Sequence, residues 1–268
     1  MIEIKKLKIK DYLIEDIEII KGEKIGVFAR EAEVRDKFLL SLAGINRNYD
    51  NCFFKKENLY DNKAYFQNRI YLDCQEKYLE TLNFSKIADI INTKFKMKID
   101  RAYLAKYIDA LKIRGECEIT STYKYIFTYI GNTLINLGLA FSTGKNLIIN
   151  NPTIHIDDEH KSDEEYIYNE LKNYTKLIVL GINNLIQLKD LLNRVILFTD
   201  FNEVIVFNPK KDNLYIIDNC NIVNELYVFK CKDERLIIKE PPQETLKRLR
   251  RQKLNLKRIS IYEIEKYL

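Results

Sequence analysis

Short apolar runs alternate with amphipathic segments along most of the chain. Five runs rich in β-branched residues are typical of buried strands, at residues 24–29, 69–74, 146–150, 176–182 and 194–198. Helical periodicity lies around them, at residues 36–42, 87–113, 162–174 and 184–192. Strands that alternate with helices pair in parallel through right-handed crossovers, so the pattern predicts an α/β fold with a mainly parallel sheet.

The two ends of the chain depart from this alternation. Residues 2–9 and 17–20 alternate apolar and polar positions, as an antiparallel strand pair does. Four short apolar runs predict further strands at residues 204–207, 214–217, 226–229 and 235–239. The pair Pro241-Pro242 ends this region, and residues 241–268 are predicted to form a basic helical tail.

Composition narrows the classes of function. No apolar run approaches the roughly 20 residues that a membrane span needs, and no signal segment opens the chain, so we expect a cytoplasmic protein. The 5 cysteines form no CxxC pair and there are only 2 histidines, so we expect no metal site. The net charge of the whole chain is +5, and residues 247–258 alone carry more positive charges than that. Basicity is therefore local, and we expect no nucleic-acid partner.

The junction between the first buried strand and its helix is where a phosphate-binding loop would lie. The sequence from Lys21 is KGEKIGVFAREAEVRDKFLLSLAG, and the pattern GxxxxGKS/T is absent. Ala29 and Val34 stand at its two glycines, Arg35 at its lysine and Asp36 at its Ser/Thr. A phosphate cradle needs converging N–H groups and some residues with positive φ, which costs a non-glycine residue about 1–2 kcal/mol. These residues therefore predict that ATP is not held here in the usual way.

The frame around this junction resembles the nucleotide-binding subunits of export-type ABC transporters, with KGE before the strand and LAG at the end of the helix. In that family Ala32 would be a further glycine. The resemblance implies a P-loop-NTPase-like core with a mainly parallel sheet, an antiparallel β subdomain and a helical subdomain. It divides the chain into an ABC-ATPase-like domain at 1–240, with its helical subdomain at about 76–130, and the tail at 241–268.

Other motif positions of the family are occupied by substitutes. Gln75 matches the glutamine that senses the γ-phosphate and the permease, and Asp157 matches the D-loop aspartate. Asn150 stands at the magnesium-binding aspartate and Asn151 at the glutamate that polarises the attacking water. Asn183 stands at the switch histidine. An amide neither carries the charge that Mg²⁺ prefers nor accepts a proton at neutral pH.

The LSGGQ signature has no counterpart with paired glycines. By spacing it would fall at residues 126–130, and residues 120–123 are the alternative. Aromatic residues alternate through this region at Tyr123, Tyr125, Phe127 and Tyr129. The alternation is typical of a half-buried packing surface, and a partner-binding face is the alternative interpretation.

The resemblance and its substitutions together predict a pseudo-ATPase with no catalytic residue and no bound metal. ATP and Mg²⁺ would bind only if other residues compensate, for example Arg30 or Lys37 on the phosphates and Asp157 or Asp158 on the metal. The chain would dock on an export-type membrane permease, pair with an intact ABC ATPase paralogue or with itself, or do both. Two alternatives stay open: a soluble regulatory or scaffold protein that reuses the fold, and a divergent ATPase that still binds ATP.

The basic segment at residues 247–258 allows two interpretations. A helix with cations on more than one face is typical of a solvated surface. Attraction to an anionic membrane is the alternative, at about 1 kcal/mol per basic residue near the surface. On that alternative the protein would lie peripherally on the inner face of the cell membrane.

Overall fold

The computed structural model describes residues 2–46, 51–54, 56–75, 81–96, 101–154, 161–185, 188, 190–217, 228–230 and 236–267. Its centre is a six-stranded sheet in the order β12-β11-β3-β10-β9-β6. The strands are β3 (Lys24–Ala29), β6 (Arg69–Asp73), β9 (Asn146–Asn150), β10 (Ile178–Gly181), β11 (Arg194–Phe198) and β12 (Val204–Phe207). All pairs are parallel except β11 with β12. The five buried strands predicted from apolar runs are therefore confirmed, and they form one sheet.

Each central strand is apolar on both faces, because each face is covered. Along β3, Val27 belongs to one buried cluster and Phe28 to the other. Along β10, Val179 and Leu180 divide in the same way. Successive side chains of a strand point to opposite faces, so the continuous runs in the sequence reflect a two-sided core.

An antiparallel sheet of four strands covers one face, in the order β2-β1-β4-β5. Its strands are β1 (Ile2–Ile9), β2 (Tyr12–Ile19), β4 (Asn51–Phe54) and β5 (Glu57–Asn58). The helix that follows β3, α1 (Ala32–Leu42), packs on the same face, since Phe38 and Leu39 share the buried cluster of Ile4 and Leu7. A short helix, α2 (Lys63–Gln67), leads into β6.

Helices cover the other face. They are α3 (Phe84–Phe95), α4 (Arg101–Ile113), α5 (Tyr129–Ser142) and α6 (Lys161–Asn173), with the two-stranded hairpin β7 (Cys117–Ile119) and β8 (Tyr125–Phe127) before α5. The helical pattern at 87–113 is divided between α3 and α4, because Lys96 ends α3 with a left-handed φ of 48°. Within the described residues no helix is long and apolar enough to cross a membrane.

The region at 184–192 is not helical where the structure describes it. Its described residues form turns, and its leucines pack into the helical side of the core. Leu185 and Leu192 are fully buried there. Where the structure describes this segment, the apolar spacing therefore reflects turns packed on the core and not a helix.

The C-terminal region builds a second antiparallel sheet in the order β14-β15-β13-β16. Its elements are β13 (Leu214–Ile217), β14 (Val228–Lys230), β15 (Leu236–Lys239), α7 (Gln243–Arg251), β16 (Leu256–Ile259) and α8 (Ile261–Ile264). The predicted helical tail thus contains a helix, then a strand, then a short helix. Because β16 pairs with β13, the segment after residue 240 is part of this sheet. Ile259 and Ile264 are buried in the helical side of the main core.

Candidate functional site

The turn between β3 and α1 is shorter than a phosphate-binding loop. Only Arg30 and Glu31 separate the strand from the helix, and no residue from Ala29 to Asp36 has a positive φ. Val34 lies inside the first turn of the helix, where its N–H donates to the Glu31 carbonyl at 3.0 Å and its side chain is fully buried. Helix α1 begins at Ala32 and so includes residues that were predicted to form the loop. Val34 therefore has helical backbone angles and avoids the left-handed strain expected in a phosphate-binding loop.

Acidic side chains occupy the entrance to this turn. Lys10 pairs with Glu31 at 2.8 Å and with Glu33 at 2.6 Å, and Lys37 pairs with Glu33 at 2.7 Å. The hydrogen bond from Lys10 lowers the pKa of Glu33 to about 2. The positive end of a helix attracts anions, and here the chain supplies its own carboxylates.

Arg35 is the centre of the site. Its side chain is 1% exposed, although it carries a charge. Nε and Nη2 donate to Asp36 Oδ1 at 3.0 and 2.9 Å, and Nη1 donates to Asn183 Oδ1. A buried guanidinium needs a carboxylate and further acceptors, and these two side chains provide them.

The same carboxylate connects Arg35 to the end of β9. Asn150 Nδ2 donates to Asp36 Oδ1 at 3.0 Å and to Asp73 Oδ2 at 3.3 Å. Four predicted site residues therefore meet: Arg35, Asp36, Asn150 and Asn183. Hydrogen bonds connect them at the carboxyl edge of the central sheet.

Asp73 and Gly181 complete the network and were not predicted. Asp73 ends β6, which pairs with β9 in parallel, so its carboxylate reaches the same edge of the sheet as Asn150. A Cβ on Gly181 would lie 2.5 Å from Asn150 Oδ1 and 3.2 Å from Arg35 Cδ, so only glycine leaves room for both side chains. The carboxyl-terminal position of Asp73 on an apolar run was the signal available in the sequence.

Asn151 lies beside the network without joining it. It is 2% exposed and has a φ of 50°, which asparagine tolerates better than most residues. Its N–H donates to the Gly181 carbonyl at 2.9 Å. Neither polar atom of its side chain has a hydrogen-bond partner among the residues that the structure describes. A neutral amide at this point cannot act as a general base.

The remaining predicted positions are Ala29, Ala32, Gln75 and Asp157. Ala29 is buried at the end of β3, and Ala32 is exposed as the first residue of α1. Gln75 is exposed, and its N–H donates to Asp73 Oδ1 at 3.0 Å. Asp157 lies outside the described residues.

The signature region coincides with the start of α5. Thr128 is the N-cap, and its Oγ1 accepts the Gly131 N–H at 2.9 Å. Residues 126–130 straddle this helix start, whereas 120–123 lie in the turn of the preceding hairpin. Phe127 is buried and Tyr125 half-buried, as the packing interpretation predicts, but Tyr123 and Tyr129 are exposed.

The cations proposed as compensating ligands have other partners. Arg30 Nη1 donates to Asp200 at 2.8 Å, and its Nη2 donates to the Glu265 carbonyl at 3.4 Å. Lys37 is paired with Glu33. With Arg35 buried and carboxylates at the helix start, the described residues do not fit a magnesium-bound triphosphate in the manner of a P-loop.

The fold defined by these elements is that of the ATP-binding subunits of ABC transporters. The chain is similar to a protein described as a cobalt transport ATP-binding protein (cbiO-2), at 16% identity over 90% of this chain and 93% of that chain, with a TM-score of 0.58. It is also similar to cbiO1 from Clostridium perfringens, part of the ABC transporter complex cbiONQ, at 15% identity over 78% and 89% of the two chains, with a TM-score of 0.56.

A third similar structure is the dimeric ATP-binding cassette MJ0796 in a post-hydrolysis state with ADP and Pi. It is 12% identical over 78% of this chain and 98% of that chain, with a TM-score of 0.54. No protein-family model and no curated protein sequence matches the chain. The α/β fold predicted from the sequence, with its parallel core and antiparallel and helical additions, is confirmed.

Proposed function

We propose that this chain is a catalytically inactive, ABC-ATPase-like subunit of a membrane transporter complex. The observation that carries the proposal is the buried Arg35, which Asp36 and Asn183 hold at the nucleotide edge of the sheet. A guanidinium satisfied by its own chain has little to gain from a phosphate, and moving it would leave Asp36 and Asn150 without their present contacts. The fold is kept for assembly, and the chemistry is absent.

Calorimetry with ATP and Mg²⁺ tests the inactive state. We expect no saturable binding heat up to about 1 mM nucleotide, which corresponds to roughly 4 kcal/mol of binding free energy. We also expect that the purified chain releases no phosphate from ATP. A binding heat in the micromolar range that disappears in Arg35→Ala would contradict the proposal. Arg30→Ala is the matched control, since Arg30 is bound to Asp200 at the surface.

We further propose that the helical layer supplies the contact with a permease or with a second ATPase subunit. The hairpin and the start of α5 expose apolar side chains, among them Ile119 and Ile126. One similar protein belongs to a multi-component transporter complex, and another forms a dimer. An apolar surface of this kind on a water-soluble layer is typical of an interaction site.

A pull-down from native membranes tests the partner. The tagged chain is expected to recover a multi-span permease or an intact ATPase paralogue, and Ile119→Ser/Ile126→Ser is expected to reduce the recovery several-fold. Ile20→Ser/Ile45→Ser is the control, because all four isoleucines are between 40 and 55% exposed. Recovery of neither partner would favour a soluble scaffold protein, and equal recovery by both variants would exclude this surface.

We also propose that the basic segment holds the protein at the inner face of the cell membrane. Helix α7 is anchored by the buried Leu249, while Lys247, Arg250, Arg251 and Lys253 have no acidic partner among the described residues. Changing these four to glutamine is expected to weaken binding to vesicles that are roughly one quarter anionic lipid by at least about tenfold at low salt.

The control for this charge change replaces four exposed lysines elsewhere: Lys21, Lys63, Lys86 and Lys106. Equal binding by the two variants would show that the segment has no special affinity for the membrane. Deletion of residues 247–268 is less suitable, because it also removes β16 and the buried Ile259 and Ile264.

A further inference from the structure

A second site lies at the opposite edge of the central sheet from Arg35. The parallel strands begin there: the six-residue strand β3 starts at this edge with Lys24 and ends at the opposite edge with Ala29. Between the loop after β12 and the turn from β16 to α8 there is a cavity of about 500 Å³. Small-molecule sites have volumes of roughly 300–1,000 Å³, so this cavity has the size of a ligand site.

Cations without partners line the cavity. Lys210, Lys211 and Arg258 reach it, and none of them pairs with a carboxylate of the described chain. Three basic side chains held near one another repel, unless an anion or solvent separates them. Their position on two different elements, a loop and β16, means that the fold and not the local sequence brings them together.

Most of the acidic groups at the cavity are already engaged. Asp212 accepts from the Asn208 N–H at 2.7 Å and pairs with Lys239 at 3.2 Å. Glu263 pairs with Lys257 at 2.6 Å. Asp190 is the lining carboxylate that has no such contact among the described residues. The three lining cations therefore exceed the free acidic charge.

Lys24 does not line the cavity but is close enough to feel the charge of Lys210. It is half-buried at the start of β3, and its ammonium group has no partner among the described residues. Burial, and then the charge of Lys210, lower the pKa of Lys24. An anion in the cavity would oppose both effects.

Apart from Ser260, the remaining wall of the cavity is apolar. Phe207, Pro209, Leu214 and Ile259 contribute to it, and Phe207, Leu214 and Ile259 are buried in the helical side of the core. The ring or short apolar part of a ligand could therefore pack against this wall, while an anionic group of the same ligand contacts the cations. Arginine binds phosphate oxygens in a bidentate manner, and lysine binds them as a point charge.

We propose that this cavity binds a small soluble phosphate monoester with an aromatic or other apolar body. Lys210, Lys211 and Arg258 would hold the phosphate, and Phe207 and Leu214 would contact the body. The site shares no residue with the network around Arg35, so it does not depend on the function proposed above. It would make the C-terminal sheet a ligand-binding unit joined to the core.

Phenyl phosphate is a minimal probe, because it combines a ring with a dianion. By calorimetry we expect a dissociation constant below about 1 mM, and at least tenfold weaker binding of inorganic phosphate or phenol alone. Lys210→Gln/Arg258→Gln is expected to weaken binding of phenyl phosphate at least tenfold. Circular dichroism verifies that the variant is folded.

The matched control is Lys247→Gln/Arg251→Gln, which removes the same charge from α7, outside the cavity. It is expected to bind phenyl phosphate as the unchanged chain does. No saturable binding below about 10 mM would overturn the proposal. Equal weakening in the two double variants would also overturn it, because the effect would then belong to net charge and not to the cavity.

Discussion

Asp36→Ala is expected to lower the free energy of unfolding by about 3 kcal/mol. The change leaves the guanidinium of Arg35, whose side chain is 1% exposed, without its carboxylate. Loss of one partner from a buried ion pair typically costs about 3–5 kcal/mol. We place the effect at the lower end because the Asp36 side chain is 31% exposed, so part of its charge is already solvated. Urea denaturation with a fixed slope measures the difference.

A second change is expected to restore part of the loss. In Arg35→Met/Asp36→Ala the unpaired charge is removed while the apolar stem is largely kept, so the double variant is expected to be more stable than Asp36→Ala alone. Asp200→Ala is the control, because it breaks the surface pair with Arg30 and is expected to cost less than about 1 kcal/mol. Equal losses for Asp36→Ala and Asp200→Ala would show that Arg35 is not held by its carboxylate.

This network also shows what the sequence could and could not predict. The strand positions followed from continuous apolar runs such as 146–150, because a strand covered on both faces has no polar side. In the sequence, Asp36 was identified only as the residue at the Ser/Thr position of the phosphate-binding pattern. Arg35 also donates to the side chain of Asn183, which is 148 positions away from Arg35, and no local pattern contains that contact.

Loops and the C-terminal segment were harder to predict for a related reason. Residues 184–192 repeat leucine at helical spacing, yet those leucines cover the core from turns. The run of cations at 247–258 is typical of a helix. A strand nevertheless begins at Leu256, because this segment pairs with β13. In both cases a tertiary contact overrides local preference.

The sequence was sufficient to predict which residues meet at the carboxyl edge of the sheet. It was not sufficient to predict the conformation of the chain there. The resemblance to ABC ATPases assigned Arg35, Asn150 and Asn183 to one nucleotide site, and the structure brings them together. Spacing could not reveal that the helix would extend back to Ala32 and enclose Val34, since this depends on how α1 packs against the antiparallel sheet.

The glycine near the signature position leads to the other large prediction. Gly131→Ala is expected to destabilise the fold by about 2–3 kcal/mol or more, although alanine is the better helix former by about 1 kcal/mol. A Cβ on Gly131 would lie 2.1 Å from the carbonyl oxygen of Glu116, which belongs to the backbone and cannot turn aside as a side chain would. The hairpin and α5 would have to separate. Thermal unfolding followed by circular dichroism measures the change.

Gly144→Ala separates this packing effect from the general cost of losing a glycine. Gly144 has a φ of 62°, and a Cβ there would meet nothing within 4 Å, so only backbone strain of about 1–2 kcal/mol is expected. If Gly131→Ala were neutral or stabilising, helix propensity would dominate and the close contact with Glu116 would be wrong. If it costs clearly more than Gly144→Ala, the small residue at this helix start is explained by packing against the hairpin. The glycine near the signature position then needs no bound nucleotide to account for it.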